Sequence, residues 1–257
     1  MAMAIVGLVL FLAGGGCLWA RSRTLAKAGK LRAIPPKTVG EVLAGAGGVV
    51  ALQGEIVCED PLKGELSGVS CVYYRMQVER ETEEEYTQWN EQEKRNERKT
   101  RRHRETMSSN TRRCPFTLRD ASGSIRVLPE GAEMEAEKVL SKFEPERAGF
   151  SLSIGGFSLN LSGVASVGQG RRTLGYHFEE YALPTGRTVF MTGEADTRGG
   201  SWNVHTPGDK TVPCLISTKS REATIKGKET SALILMIVSI ALFVGGIACL
   251  AAGAMQT

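Results

Sequence analysis

Two nearly uninterrupted apolar runs close the chain at either end, and between them hydrophobic positions recur with a period of two in short bursts separated by Gly and Pro. Ala232 to Ala254 carries no charge and has the length of one bilayer crossing, stopped on one side by Lys226, Lys228 and Glu229. Ala2 to Ala20 is shorter and contains Gly14 to Gly16. No Lys or Arg precedes it, whereas Arg21 and Arg23 follow at once, which favours a transmembrane helix with its N-terminus outside over a cleaved signal peptide. Gly245, Cys249 and Gly253 recur every four residues and suit close packing of the two spans.

The middle reads as a sheet protein. In Pro61 to Arg80, Val72, Tyr74, Met76 and Val78 alternate with Tyr73, Arg75, Gln77 and Glu79, the pattern of a half-buried strand. Val49 to Val57 is expected to pair with it through the Cys58 to Ser70 turn. Thr24 to Pro36 reads as a basic linker, and Thr38 as the cap of a short helix to about Ala44. Cys114–Leu118 and Ser124–Leu128 read as strands across Asp120 to Gly123, with a positive φ expected at Gly123. Glu133 to Phe143, with Met134, Val139, Leu140 and Phe143 apolar, has a helical pattern. Phe150 to Leu161 is nearly palindromic about Gly155–Gly156; a two-residue turn pairs Ile154 with Phe157, Leu152 with Leu159 and Phe150 with Leu161. Two further hairpins are expected, Tyr176–Ala182 with Thr188–Gly193 and Trp202–His205 with Val212–Ser217. The whole predicts a mainly β fold, a small barrel (an OB-like one among the candidates) or sandwich of short antiparallel strands, with one or two short helices and two flanking transmembrane helices. The expected divisions are 2–20 for the first span, 21–48 for the basic linker and short helix, 49–231 for the soluble β-rich domain with a charged arm at 79–113, and 232–254 for the second span.

Charge changes this picture in two places. A net charge of +4 is too mild to argue for nucleic acid, so that partner is not expected. Lys and Arg nevertheless crowd inside both spans and are absent from the outer tails, which predicts an integral membrane protein with its soluble domain in the cytoplasm and both termini outside, in a prokaryotic plasma membrane. Glu79 to Glu105 is acidic first and basic second, without Gly or Pro, and reads as a solvated helix or a protruding hairpin arm. If helical, Glu91–Arg95 and Glu97–Arg101 pair favourably. Its basic half, Lys94, Arg95, Arg98, Lys99, Arg101, Arg102 and Arg104, is the candidate contact for a partner or lipid, weighed against an arm neutralised by its own glutamates.

Chemistry is sparse. No catalytic residues, cofactor or metal ligands are expected: there is no Gly-x-Ser-x-Gly, no phosphate loop and no His-Glu-x-x-His. The cysteines form no Cys-x-x-Cys and read as isolated small apolar residues. Glu179 and Glu180 should point to opposite faces of a strand. His177 and His205 are close enough to meet only if their strands neighbour, and a structural role is preferred for both.

Four stretches in order resemble the GIDE-type domain of membrane-anchored E3 ubiquitin ligases of mitochondrial and chloroplast outer membranes. They are Ala51–Glu55 with Pro61–Leu62 and Ser67–Tyr74, Phe116–Asp120 with Gly123 and Val127, Glu179–Gly186 with Gly193–Glu194, and Leu215–Lys219. In that family two transmembrane helices bracket the domain and ligase activity resides in a RING after the second. The chain stops at Thr257 with no RING ligands to carry over, so the resemblance transfers no catalytic role. It implies a partner- or substrate-binding module and an unidentified protein partner. The alternatives are an E3 ubiquitin transferase or component of a ubiquitin-like ligation system, and a membrane-tethered β-domain contacting lipid or nucleic acid.

Overall fold

The computed structural model describes residues 2–146, 151–154, 157–160, 171–198, 200–209 and 211–254. Helices α1 (Ala2–Ala33) and α2 (Val39–Leu43) lead into strands β1 (Gly48–Val57), β2 (Leu62–Lys63), β3 (Ser70–Asn90), β4 (Arg95–Arg113), β5 (Phe116–Asp120) and β6 (Gly123–Val127). Next come β7 (Glu133–Glu135), β8 (Glu137–Pro145), β9 (Ser151–Ile154), β10 (Phe157–Asn160), β11 (Arg171–Pro184), β12 (Thr188–Arg198), β13 (Ser201–His205) and β14 (Leu215–Ser217), and finally helix α3 (Arg221–Ala254).

The mainly β reading holds, and the sheet closes. β1, β5, β6, β13 and β12 are hydrogen-bonded in that order, and β12 returns to β1 over Gly48–Glu55, giving a five-stranded barrel of the OB-like kind. Its pairs are antiparallel except β6 with β13. Leu52, Ile56, Leu118, Ile125, Met191 and Val204 fill the interior. Burying a side chain of this size is worth about 1.5–3 kcal/mol each, so this interior is the main stabilising element of the soluble part. Val39 and Val42 of α2 are buried in the same cluster. Thr38 and Glu41 form a reciprocal capping box, and the β5–β6 turn supplies two more acceptors: Val39 N–H donates to Asp120 Oδ2 at 2.8 Å and Gly40 N–H to Ser122 Oγ at 2.7 Å. Gly123 does not take a positive φ; a Cβ there would lie 3.1 Å from the Leu43 side chain of α2, which would have to give way.

Two insertions in the barrel, β2–β4 between β1 and β5 and β8–β11 between β6 and β12, form a second sheet in the order β2-β3-β11-β8, with β4 also on β3. Tyr74, Met76, Val78, Tyr176 and Phe178 make its core, while Val72, Tyr73 and Leu183 belong to the barrel core and weld the two sheets together. Alternation along β3 therefore holds from Tyr74 to Arg80, but Tyr73 is buried as well, and beyond the bulge Arg80, Glu81 and Thr82 are buried in succession.

Several expected pairings give way to this insertion topology. β1 pairs with β5 and β12, never with β3. Tyr176–Ala182 and Thr188–Gly193 are consecutive strands in different sheets, because the Pro184–Arg187 turn hands the chain back to the barrel. β13 and β14 do not form a hairpin; both lie on β12. Glu133 to Phe143 is not helical: β7 runs parallel to β14 and β8 antiparallel to β11, so sheet pairing overrides the local pattern. β9 and β10 pair in the expected register, Ile154 with Phe157 and Leu152 with Leu159, while Phe150, Gly155, Gly156 and Leu161 lie outside the described residues.

Both terminal helices are long and apolar enough to cross a membrane, by length and composition. Each also runs past its apolar stretch: α1 continues through the expected linker to Ala33, and α3 starts at Arg221. They pack against each other at small residues. A Cβ on Gly7 would lie 3.0 Å from the Gly246 carbonyl, Gly14 faces the Phe243 ring, and Ser239 Oγ donates to the Gly14 carbonyl at 3.0 Å. The seam thus uses Gly246 rather than Gly245, which has only Leu10 within reach at 3.8 Å. Leu8, Leu12, Ile234, Ile237 and Ile247 are exposed on the outer faces of the pair.

Candidate functional site: a charged hairpin arm and its footing

The long charged stretch is a hairpin, not a helix. β3 and β4 pair from Tyr73–Arg113 to Asn90–Arg95, with one bulge between Val78 and Glu79. Asn90 closes the tip, its Oδ1 accepting the N–H groups of Gln92 at 3.0 Å and Glu93 at 3.3 Å, and Lys94 takes a left-handed φ of 48°. β11 flanks β3 only as far as Glu84 among the described residues, so the outer third of the arm stands on its own two strands.

Antiparallel pairing lays the acidic half against the basic half. On one face Glu81 opposes Arg104 and Glu83 opposes Arg102; on the other Glu84 opposes Arg101. Ion pairs follow at 3.5 Å for Glu81–Arg104 and Glu83–Arg102, and 3.6 Å for Glu84–Arg101. β11 adds Arg171 to Glu84 at 3.3 Å and Arg172 to Glu83 at 3.4 Å. Glu81 also touches His177 Nε2, whose ring lies 4.6 Å from that of Phe143. The hydrogen bond with His177, joined by the charges of Arg104 and Arg102, holds the Glu81 carboxyl below its usual range against the opposing effect of burial. Arg171 does the same for Glu84.

Below the ladder a second polar cluster fixes the arm to its sheet. Glu180 is fully buried and accepts the N–H of Leu66 at 3.1 Å and of Ser67 at 2.8 Å. A Cβ on Gly64 would come within 2.6 Å of Ser67 Oγ, so the loop closes this tightly only with glycine there. Tyr74 Oη donates to Glu65 at 2.8 Å, and burial together with Glu65 pushes its phenol up to about 12. Glu179, on the opposite face as expected, pairs with Lys138 at 2.7 Å. The Glu179–Gly186 and Ser67–Tyr74 stretches that carried the resemblance thus meet at one buried carboxylate.

The seven singled-out cations all lie on the arm, but they do not form a bare positive patch. Arg101, Arg102 and Arg104 are in the ladder, Arg95 pairs with Glu93 at 2.6 Å, and Lys99 reaches Gln88 at 3.1 Å. Lys94 and Arg98 have no ion pair among the described residues. Trp89, near the tip, is 56 % exposed. Sequence reasoning missed Arg171, Arg172 and His177, which join these glutamates from β11, whereas neutralisation by the arm's own Glu81, Glu83 and Glu84 was the alternative weighed against a free basic patch. The signal was present, since an acidic run followed by a basic run matches itself when folded back. His177 and His205 lie in different sheets and do not meet; His205 sits 3.0 Å from Asp196. Cys58 and Cys114 are not isolated: they are neighbours where the first insertion leaves and rejoins the barrel, and burial with Cys58 nearby pushes the Cys114 thiol up to about 11.

Chemically, the arm holds charge in fixed register and presents a stiff exposed edge. Among the described residues no three His, Cys, Asp or Glu side chains gather as a metal site. No curated protein and no solved structure matches the chain. The family model GIDE, described as E3 ubiquitin ligase, matches residues 83–252, more than half of the chain, from partway along β3 through the rest of the arm and the later barrel strands to most of the last helix. The chain belongs to the GIDE family of E3 ubiquitin ligases.

Proposed function

We propose that this chain is a membrane-anchored, non-catalytic binding module of its ligase family, with the two helices as the anchor and the β3–β4 arm as the surface offered to a protein partner. The observation that carries this reading is the arm itself. Two long strands project beyond their sheet, are stiffened by a cross-strand ladder, and end in an exposed Trp89 beside Lys94 and Arg98. Exposed aromatic and Arg side chains on a rigid support are what protein contacts use. Because the ladder neutralises most of the arm's cations internally, contact with a polyanion such as nucleic acid is the weaker use of the same surface. In a prokaryotic plasma membrane, the setting this reading takes, the Lys and Arg residues on the domain side of both spans favour a cytoplasmic soluble domain with both termini outside.

Purified chain in detergent, incubated with E1, E2, ubiquitin and ATP, is expected to transfer no ubiquitin by itself; transfer would overturn the non-catalytic reading. Photo-crosslinking from a probe at the exposed Gln88 in cells is expected to trap one discrete protein, lost when Trp89→Ala is added. Labelling confined to random background would overturn the arm's role.

A further inference from the structure

β4 is an edge strand. Among the described residues it pairs with β3 alone, so along its other side alternate N–H and C=O groups have no strand beside them. Natural proteins shorten, bulge or charge such edges, because a bare one is a template for another strand. This edge is charged, but it is neither short nor broken. Register runs without a bulge for twelve pairs, from Glu79–Thr106 to Asn90–Arg95, and no Pro interrupts it.

Charge decides what the template accepts. Side chains alternate across a strand, and the face that holds Trp89 receives Asn96, Arg98, Thr100, Arg102 and Arg104 from β4, with no carboxylate among them. Arg102 and Arg104 meet Glu83 and Glu81 on the β3 side, yet their side chains stay 66 % and 55 % exposed. Glu83 is shared with Arg172 of β11 as well. Arg98 is exposed and has no carboxylate partner among the described residues. A guanidinium carries five N–H donors, so one carboxylate on one side leaves others open. A second copy of β4 laid along this edge would set cation beside cation, which is destabilising. A strand with a carboxylate at every second position would instead place acids beside Arg98, Arg102 and Arg104.

We propose that the free edge of the arm, Arg95 to Thr106, takes an extended acidic segment of a partner protein as an added strand, its alternate carboxylates on the face of Arg98, Arg102 and Arg104. In strand addition main-chain hydrogen bonds supply the affinity and alternate side chains the specificity. Nucleic acid matches the charge but has no peptide backbone with which to extend the ladder. The proposal rests on the arm as the protein-contact surface and names the chemistry of its partner. If the peptide described next fails to bind while the Gln88 probe still traps one protein, only the edge assignment falls. If the probe too yields only background, the arm reading falls with it.

The test is fluorescence anisotropy of the full chain in neutral detergent with a short labelled peptide of alternating Glu and Thr. It is expected to bind about tenfold more tightly than the peptide of alternating Gln and Thr, the sum of a few opposite-charge cross-strand pairs. Of two analogues N-methylated at every Glu or at every Thr, one loses binding with all its charges intact, because a strand pairs through one edge. Bound peptide slows amide exchange over Arg95 to Thr106. Arg98→Glu, which breaks no ion pair of the ladder, weakens binding about fivefold, and Lys142→Gln, on β8 at the opposite edge of the sheet, changes nothing. Equal binding of the Gln peptide, full binding by both methylated analogues, protection that spares Arg95 to Thr106, or equally tight binding of a single-stranded oligonucleotide each overturns the proposal.

Discussion

Glu180 buries its carboxyl group inside the protein, satisfied by two backbone N–H groups of the Gly64–Gly68 turn. Removing it leaves two donors without acceptors, each worth about 1–3 kcal/mol when buried. Glu180→Ala is therefore expected to destabilise the soluble domain by about 3 kcal/mol in thermal unfolding, and Glu180→Gln by less, since one acceptor oxygen remains. Glu81 gives a pH signature. Its folded pKa lies below the ordinary 4.5, so its stabilisation is complete above that value and is lost as pH falls through the folded value. The melting temperature should drop on acidification below about pH 4.5, and drop less in Glu81→Gln; parallel acid curves for the two proteins would show that the ladder does not depend on this charge. Sequence separated Glu179 from Glu180 by strand alternation alone. That the inward member would seize a loop more than a hundred positions earlier is a tertiary fact.

At the scale of elements, the arm is held by complementarity between its halves. Glu83→Arg sets like charges against Arg102 and Arg172 and is expected to fray the arm, read as faster amide exchange over 79–106. Adding Arg102→Glu should restore protection by re-forming the pair in reverse; failure of the double variant to recover would mean that the register, not the charge, holds the arm. Short strands bounded by Gly and Pro were legible because they need only a period of two and a turn. The partner of each strand was not, since alternation gives a strand its two faces but says nothing about which edge lies beside it. Glu133 to Phe143 shows the cost: four apolar positions fit a helix, yet β14 and β11 offer unpaired edges that claim the backbone first.

Over the whole molecule, an OB-like barrel stands on two helices that run unbroken from their apolar stretches to its base. The helices meet backbone to backbone at Gly7 and Gly246, where a Cβ on Gly7 would lie 2.7 Å from Leu250 and one on Gly246 3.1 Å from the Gly7 carbonyl. Gly246→Leu is expected to part the pair, seen as lost disulfide crosslinking between cysteines introduced at Leu10 and Gly245, while Gly15→Leu, which meets nothing, leaves crosslinking intact. Equal crosslinking in both would show that the pair is held from the barrel instead.

The sequence by itself determined what depends on neighbours along the chain: the terminal helices from uncharged length, the strands from alternation, the cap of the short helix from Thr38, and a charged arm from an acidic run followed by a basic one. The tertiary structure alone decided the closure of the barrel, the second sheet from two separate insertions, and the burial of Glu180 against the Gly64–Gly68 turn. Each of these joins residues distant in sequence, and such contacts are fixed by which edges and faces remain to be buried once the local elements have formed.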